Sequence, residues 1–404
     1  MIVGPCTVVT GGTKPQVIED GAVRVIEAHI SHVGTAGALA SAYPDDMRWP
    51  GRGRVLMPGL VNTHSHLARH LARGLPLRSP RDWQRFEKAL SPEDVYWGVQ
   101  AALAEGVRHG VTAVFDFHRA ASSSDATLDE AVEAARRLGV RAGCCYGASE
   151  EDTLEERIAA LEEAAILARA LERSADSRLR ALAGVRPMSL EGTRRLVREA
   201  CEITGTKLPL HVDLTLDLTP AERWGTDAGD PDLSVLWAHA EAAPRDLLAF
   251  ATERGDLLSA AGSGSAAAIM REAELGWGSD SGVNAPPLPD ATHGWVFGAR
   301  AEAHYRRLFV NGPRFAAASY GEGFGTIAPG APADMVLLDY RPPTEFSGRT
   351  LSDHLWTGLL RAPVAGVMVG GEIVMDNGVL IGVDEREVFE RARECSTRLW
   401  ARIE

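Results

Sequence analysis

Pro58-Gly59-Leu60-Val61-Asn62-Thr63-His64-Ser65-His66 closes an apolar run that begins at Val55. Residues 55–61 predict a strand, and His64 and His66 stand two apart at its C-terminal end. Side chains alternate along a strand, so both imidazoles point to one side and can reach one metal ion. A lone His-x-His pair is as readily structural. The segments that follow give it weight.

Downstream, apolar strands alternate with helices. Residues 111–117, 140–146, 179–185, 208–213, 235–240, 257–260 and 275–280 read as strands. Helical patterns at about 92–109, 127–138, 151–173, 192–203 and 244–254 lie between them, the first opened by the capping residue Ser91 and by Pro92. Near-continuous apolar strands separated by helices indicate a parallel sheet covered on its faces. Counting residues 55–61 gives about eight units, which predicts a closed (β/α)8 TIM barrel. The chain ends differ from this middle. Residues 6–10, 22–27, 29–33, 335–339, 364–369 and 372–375 read as short strands, with Gly370-Gly371 as a hairpin turn. Neither end alone carries a core, so the two are expected to pack as one β-sandwich. The expected organisation is a sandwich from 1–55 and 325–384, a barrel over 56–324, and a C-terminal helix over 385–404.

Barrel enzymes build their sites at the C-terminal ends of the strands. His211 follows Leu208-Pro209-Leu210, His239 follows Leu236-Trp237-Ala238, and Asp280 ends Gly276-Trp277-Gly278-Ser279. Each alone could be a hydrogen-bonded core histidine or a capping aspartate. Together with His64 and His66 they point to a metal.

These motifs resemble the amidohydrolase superfamily, in the branch of cytosine- and guanine-deaminase-like and chlorotriazine-hydrolase-like enzymes. The Pro-Gly-Leu-Val-Asn-x-His-x-His segment carries the resemblance, with Gly325-Thr326-Ile327-Ala328-Pro329-Gly330-Ala331-Pro332-Ala333-Asp334 in the tail. Asp116-Phe117-His118-Arg119-Ala120 and Pro342-Pro343-Thr344 are similar to aminohydrolases associated with selenium metabolism. The resemblance implies that His64, His66 and His211 bind a divalent metal. Asp280 would bind the metal and its water, and His239 the metal or that water. Such an ion lowers the pKa of its water toward neutrality, and Asp280 would take the proton and pass it on. Two-metal relatives bridge their ions with a modified lysine on an inner strand. Lys207 opens its strand, four residues before His211, and Lys14 and Lys88 lie outside the strand ends, so one ion is expected: zinc first, with iron(II) or manganese(II) as the other candidates.

The chain departs from that branch where substrate is handled. Leu214 stands where its deaminases carry a proton-moving glutamate, and Ala242 where a second histidine is expected. The loop after strand seven is Ala260-Ala261-Gly262-Ser263-Gly264-Ser265-Ala266. Asp213, two residues from His211, could supply the missing acid or be a solvated carboxylate. Arg186, His118 and His293 are candidate substrate contacts, against a rim salt bridge, a backbone hydrogen bond and a surface histidine. Trp83 and Phe86 could cover the pocket or simply pack a helix.

Among 404 residues, 45% are apolar and 24% charged, and the net charge of −13 argues against nucleic acid or an anionic membrane as partner. No apolar run reaches the roughly 18 residues of a membrane span, and the N-terminus lacks the pattern of a signal peptide. The cysteines Cys6, Cys144, Cys145, Cys201 and Cys395 lack zinc-finger spacing, and a reducing cytoplasm is expected. The expected function is hydrolysis of a C–N bond in a small nitrogenous molecule, with an anionic substrate as one option, by a homodimer or other homo-oligomer. The alternatives are a metal-dependent lyase or decarboxylase and a metal-binding pseudoenzyme.

Overall fold

Gly59 divides the run that reads as one strand in the sequence. Val55–Pro58 and Leu60–Ser65 are separate strands in separate sheets. A Cβ at Gly59 would lie 2.2 Å from Thr112 Oγ1, so the chain passes this point only as glycine. The barrel strand is therefore Leu60–Ser65, later than expected, and Val55–Pro58 joins the strands of the chain ends. The computed structural model describes residues 1–120, 127–174, 176–205, 208–214, 233–261, 274–281, 284–286 and 299–403.

Contacts divide the chain into two compact units. The first comprises Met1–Val61, Glu105–Ala113 and Ala285–Gly382; the second comprises Asn62–Ala104, Val114–Asn284 and Val383–Glu404. The first unit holds a mixed sheet drawn from both ends of the chain. Val55–Pro58 sits at its centre, parallel to Ile2–Val9 on one side and antiparallel to Met335–Leu338 on the other. The sheet curls until its hairpins meet: a Cβ on Gly371 would lie 1.9 Å from the Glu27 carbonyl. Val3, Val23, Ile30, Leu56, Met335 and Met368 pack into the core that results.

The other sheet carries eight parallel strands in chain order. They are Leu60–Ser65, Val111–His118, Arg141–Ser149, Ala183–Arg186, Leu210–Asp213, Val235–Ala238, Leu257–Ala260 and Leu275–Trp277. The first three are buried at every residue, as expected for strands covered on both faces. The predicted strand at 179–185 breaks at Leu182, where pairing changes sides: Leu182 N–H donates to Cys144 O at 2.9 Å and Ala183 N–H to Pro209 O at 3.0 Å. A parallel bridge between Ser65 and Asp280 joins the last strand to the first. His66 N–H donates to Asp280 O at 3.0 Å, and Ser279 N–H to His64 O at 2.8 Å. Gly278 permits this closure, since a Cβ there would stand 2.9 Å from His64 Cβ. The C-terminal helix is Glu385–Ile403. No helix of the described residues is long and apolar enough to cross a membrane.

Candidate metal centre

Barrel closure sets His64 and Asp280 side by side, and His211 and His239 arrive from strands five and six. His64 lies within the first strand and His66 just beyond it; His211 is in the fifth, and His239 follows the sixth. His239 and Asp280 both adopt positive φ, at 56° and 52°. Such conformations are sparsely populated by non-glycine residues and persist where surrounding structure imposes them. Here they turn both side chains toward the strand-one histidines.

The donor atoms converge. His64 Nδ1 and His211 Nε2 face each other at 2.8 Å. His66 Nε2 stands 3.5 Å from Asp213 Oδ2 and 3.5 Å from Asp280 Oδ1. His239 Nε2 is 3.5 Å from Asp213 Oδ1 and 3.8 Å from Asp280 Oδ1. Two sets, His64–Asp213–His239 and His64–His66–Asp280, each hold their ligand atoms within 4.8 Å of one another. Among the described residues His64 Nε2 is buried without a hydrogen-bond partner, 3.9 Å from Asp213 Oδ1. A buried imidazole nitrogen left unpaired among carboxylates fits a cation far better than it fits a protein core. The other ring nitrogen of His66, Nδ1, lies 2.7 Å from Phe117 O; an N–H there leaves Nε2 as a lone pair facing the carboxylates.

Charge is arranged to match. Burial pushes His64 and His66 well below the usual histidine value, and His211 down to about 3, so these imidazoles are neutral, as metal ligation requires. For His239 burial works in the same direction, but Glu241, Asp213 and Asp280 overcome it and hold its pKa at about 9. Asp213 is buried, which favours the neutral acid. Arg186 first, and after it the charge on His239, nonetheless hold it well below its ordinary value. An acid that stays ionised has no proton to give, so its surroundings favour a metal-facing carboxylate over the proton donor suggested by the sequence.

Behind the cage lies a carboxylate that sequence reading missed. Glu87, on the helix Pro80–Ala89, is 3% exposed. It accepts from Arg69 Nε at 3.1 Å and Arg119 Nε at 3.2 Å, and Arg186 Nη1 lies 3.7 Å away. Arg186 in turn donates to Asp213 Oδ2 at 2.8 Å, and Arg69 Nη1 donates to Ser281 Oγ at 2.8 Å. No sequence spacing announces this group, because its three partners come from three different segments. Burial opposes the charge on Glu87, but the three arginines take its pKa from the ordinary 4.5 to about 2. That shift corresponds to about 3 kcal/mol of stability. A depressed carboxyl stabilises fully above its unfolded value, and the contribution is lost as pH falls from about 4.5 through about 2. Glu87→Gln should therefore lower unfolding stability by about 3 kcal/mol at pH 7 and flatten the acid limb. Urea titrations at pH 7 and pH 3 check this, and equal stability of the two proteins at pH 7 would contradict it.

The remaining sequence candidates fall in varied places. Arg186 is near the cage, but its guanidinium is engaged by Asp213 and Glu87. His118 is buried edge-on to Tyr146, with no hydrogen-bond partner on either ring nitrogen among the described residues, and burial, reinforced by Arg119 against Glu87, holds its pKa down at about 4. Phe86 is fully buried packing, with Trp83 edge-on to it at 5.9 Å and Arg69 over the Trp83 ring. Leu214 is 2% exposed. His293, Lys207 and residues 262–266 lie outside the described residues.

Residues 55–224 match the model of the Amidohydrolase family. The 5-methylthioadenosine/S-adenosylhomocysteine deaminase of Moorella thermoacetica is 26% identical, over 96% of this chain and 97% of its own length. The protein of the same name from Pelotomaculum thermopropionicum is 25% identical, over 99% and 98%. Among solved structures, an adenosine deaminase from Xanthomonas campestris with bound zinc aligns with a TM-score of 0.74 at 21% identity, covering 99% of this chain and 98% of its own. The atrazine chlorohydrolase of Arthrobacter aurescens, with zinc, aligns with a TM-score of 0.73 at 19% identity, covering 98% and 99%.

Proposed function

We propose that this chain, whose sequence and fold fit the amidohydrolase superfamily in its deaminase- and chlorohydrolase-like branch, is a metal-dependent hydrolase of C–N bonds. The observation that carries the proposal is the convergence of His64, His66, His211, His239, Asp213 and Asp280 at the closure of the barrel. A donor set rich in imidazole suits zinc, at one ion per chain. His64, His66 and His211 would hold it, with His239 and Asp280 completing the set. When bound, the ion supplies a Lewis acid and an acidified water.

The chain's own groups divide the remaining work. Asp280 is the site carboxylate that reaches solvent, with a side chain 33% exposed, so it can take a proton from water and deliver it to the departing nitrogen. Asp213 is walled in at 4% exposure and ion-paired to Arg186, which fixes it as a standing negative charge facing the imidazole Nε2 atoms. Phe117 packs against the rings of His64, His66 and His211 and keeps water from that side of the cage.

The relatives are named for deamination of 5-methylthioadenosine and S-adenosylhomocysteine, so amino-purine nucleosides are the first substrates to try. Leu214 favours a second reading. An apolar side chain where the branch carries a proton-moving glutamate suits a reaction with a good leaving group, or a lyase step. The five free cysteines suit a reducing cytoplasm, and a homodimer is the proposed assembly. Ammonia release from amino-heterocycles by the metal-loaded chain tests the main reading; release of a different leaving group would favour the second.

A further inference from the structure

The left-handed turn at His239 has a second effect. It leads into the 3-10 turn Ala240–Ala242, which brings Glu241 back to the far side of the imidazole. One ring nitrogen of His239, Nε2, faces Asp213 and Asp280 at 3.5 and 3.8 Å, while the other, Nδ1, faces Glu241 Oε1 at 3.7 Å. Glu241 is itself pinned. Both its oxygens lie 3.2 Å from Ala261 N–H at the end of strand seven, and its side chain is 10% exposed. His66 shows the same plan, with a backbone carbonyl in the outer place. Among the described residues, His211 Nδ1 has the Cys145 thiol, at 3.9 Å.

We propose that Glu241 is a positioning residue, the outer carboxylate of a carboxylate–histidine–metal triad that aims His239 Nε2 at the metal. This rests on the metal-centre reading above. Outer partners of this kind fix the tautomer and orientation of the ring and raise its basicity as a ligand. The competing explanation is purely structural: Glu241 would do no more than bind the Ala261 amide.

Zinc affinity measured by chelator competition, with thermal unfolding of the metal-free proteins alongside, separates the two. Glu241→Gln keeps the size and an oxygen for the Ala261 amide but removes the charge behind His239. It should weaken zinc about tenfold, and Glu241→Ala, which loses both, up to about 100-fold. A purely structural role predicts full rescue by glutamine, so zinc affinity of the Glu241→Gln protein within twofold of the parent overturns the proposal. That variant carries the test even if the alanine variant does not fold. A parent chain that takes up no zinc overturns the metal-centre reading, and this proposal with it.

Discussion

His64→Ala should abolish metal binding and reduce turnover at least about 10³-fold, since each 1.4 kcal/mol lost from the transition state is a factor of ten and the ion supplies several. His64 is fully buried at the barrel seam, where it meets His211 at 2.8 Å and stands 3.9 Å from Asp213. No other side chain can take its place, because strand eight packs directly against its Cβ. The backbone bonds that close the barrel at this position use the His64 carbonyl, which alanine retains. The variant should therefore fold, and elemental analysis should find one equivalent of metal in the parent and none in the variant. His66→Ala should behave alike. Full metal occupancy in either variant would remove the histidine pair from the ligand set.

Asp213→Asn should cut turnover and weaken metal binding, each by about 10–100-fold. The carboxylate faces the Nε2 atoms of His64, His66 and His239 and is ion-paired to Arg186. Asparagine keeps its size but leaves the guanidinium with Glu87 alone. Because Asp213 is held ionised, its own titration should put no limb in the rate profile between about pH 5 and 9. The donor role suggested by the sequence predicts a different result. There, turnover would fall with metal affinity unchanged, and one limb of the profile would vanish. Metal titration and a pH–rate series on both proteins decide between these accounts.

The barrel was legible because its strands are short apolar runs buried on both faces, and because the histidines and Asp280 fall where those runs end. What periodicity could not show was a change of partner within a run. Residues 55–61 and 179–185 each read as one strand, yet Gly59 and Leu182 mark places where the backbone leaves one neighbour for another. The ligand candidates were readable one by one, from their position and from family resemblance. Their surroundings were not. Glu87 meets Arg69, Arg119 and Arg186 only in three dimensions, from beyond strands one and two and the end of strand four, and nothing near residue 87 in the sequence suggests a buried charge. Glu241 went unnoticed for a related reason. Two residues after His239 it would sit on the wrong side of the ring in a continuing strand, and only the positive φ at His239 returns it.

Ammonia release tests the account most directly, measured with adenosine, 5-methylthioadenosine, S-adenosylhomocysteine and a set of simpler amino-heterocycles. The chain should be stripped of metal by chelation and then reloaded with one equivalent of zinc. The account predicts ammonia from at least one of these compounds with the loaded chain, none with the stripped chain, and recovery on adding zinc back. Ammonia release that is equal with and without metal would contradict it, as would a loaded chain that releases none from any amino compound while eliminating or decarboxylating another substrate.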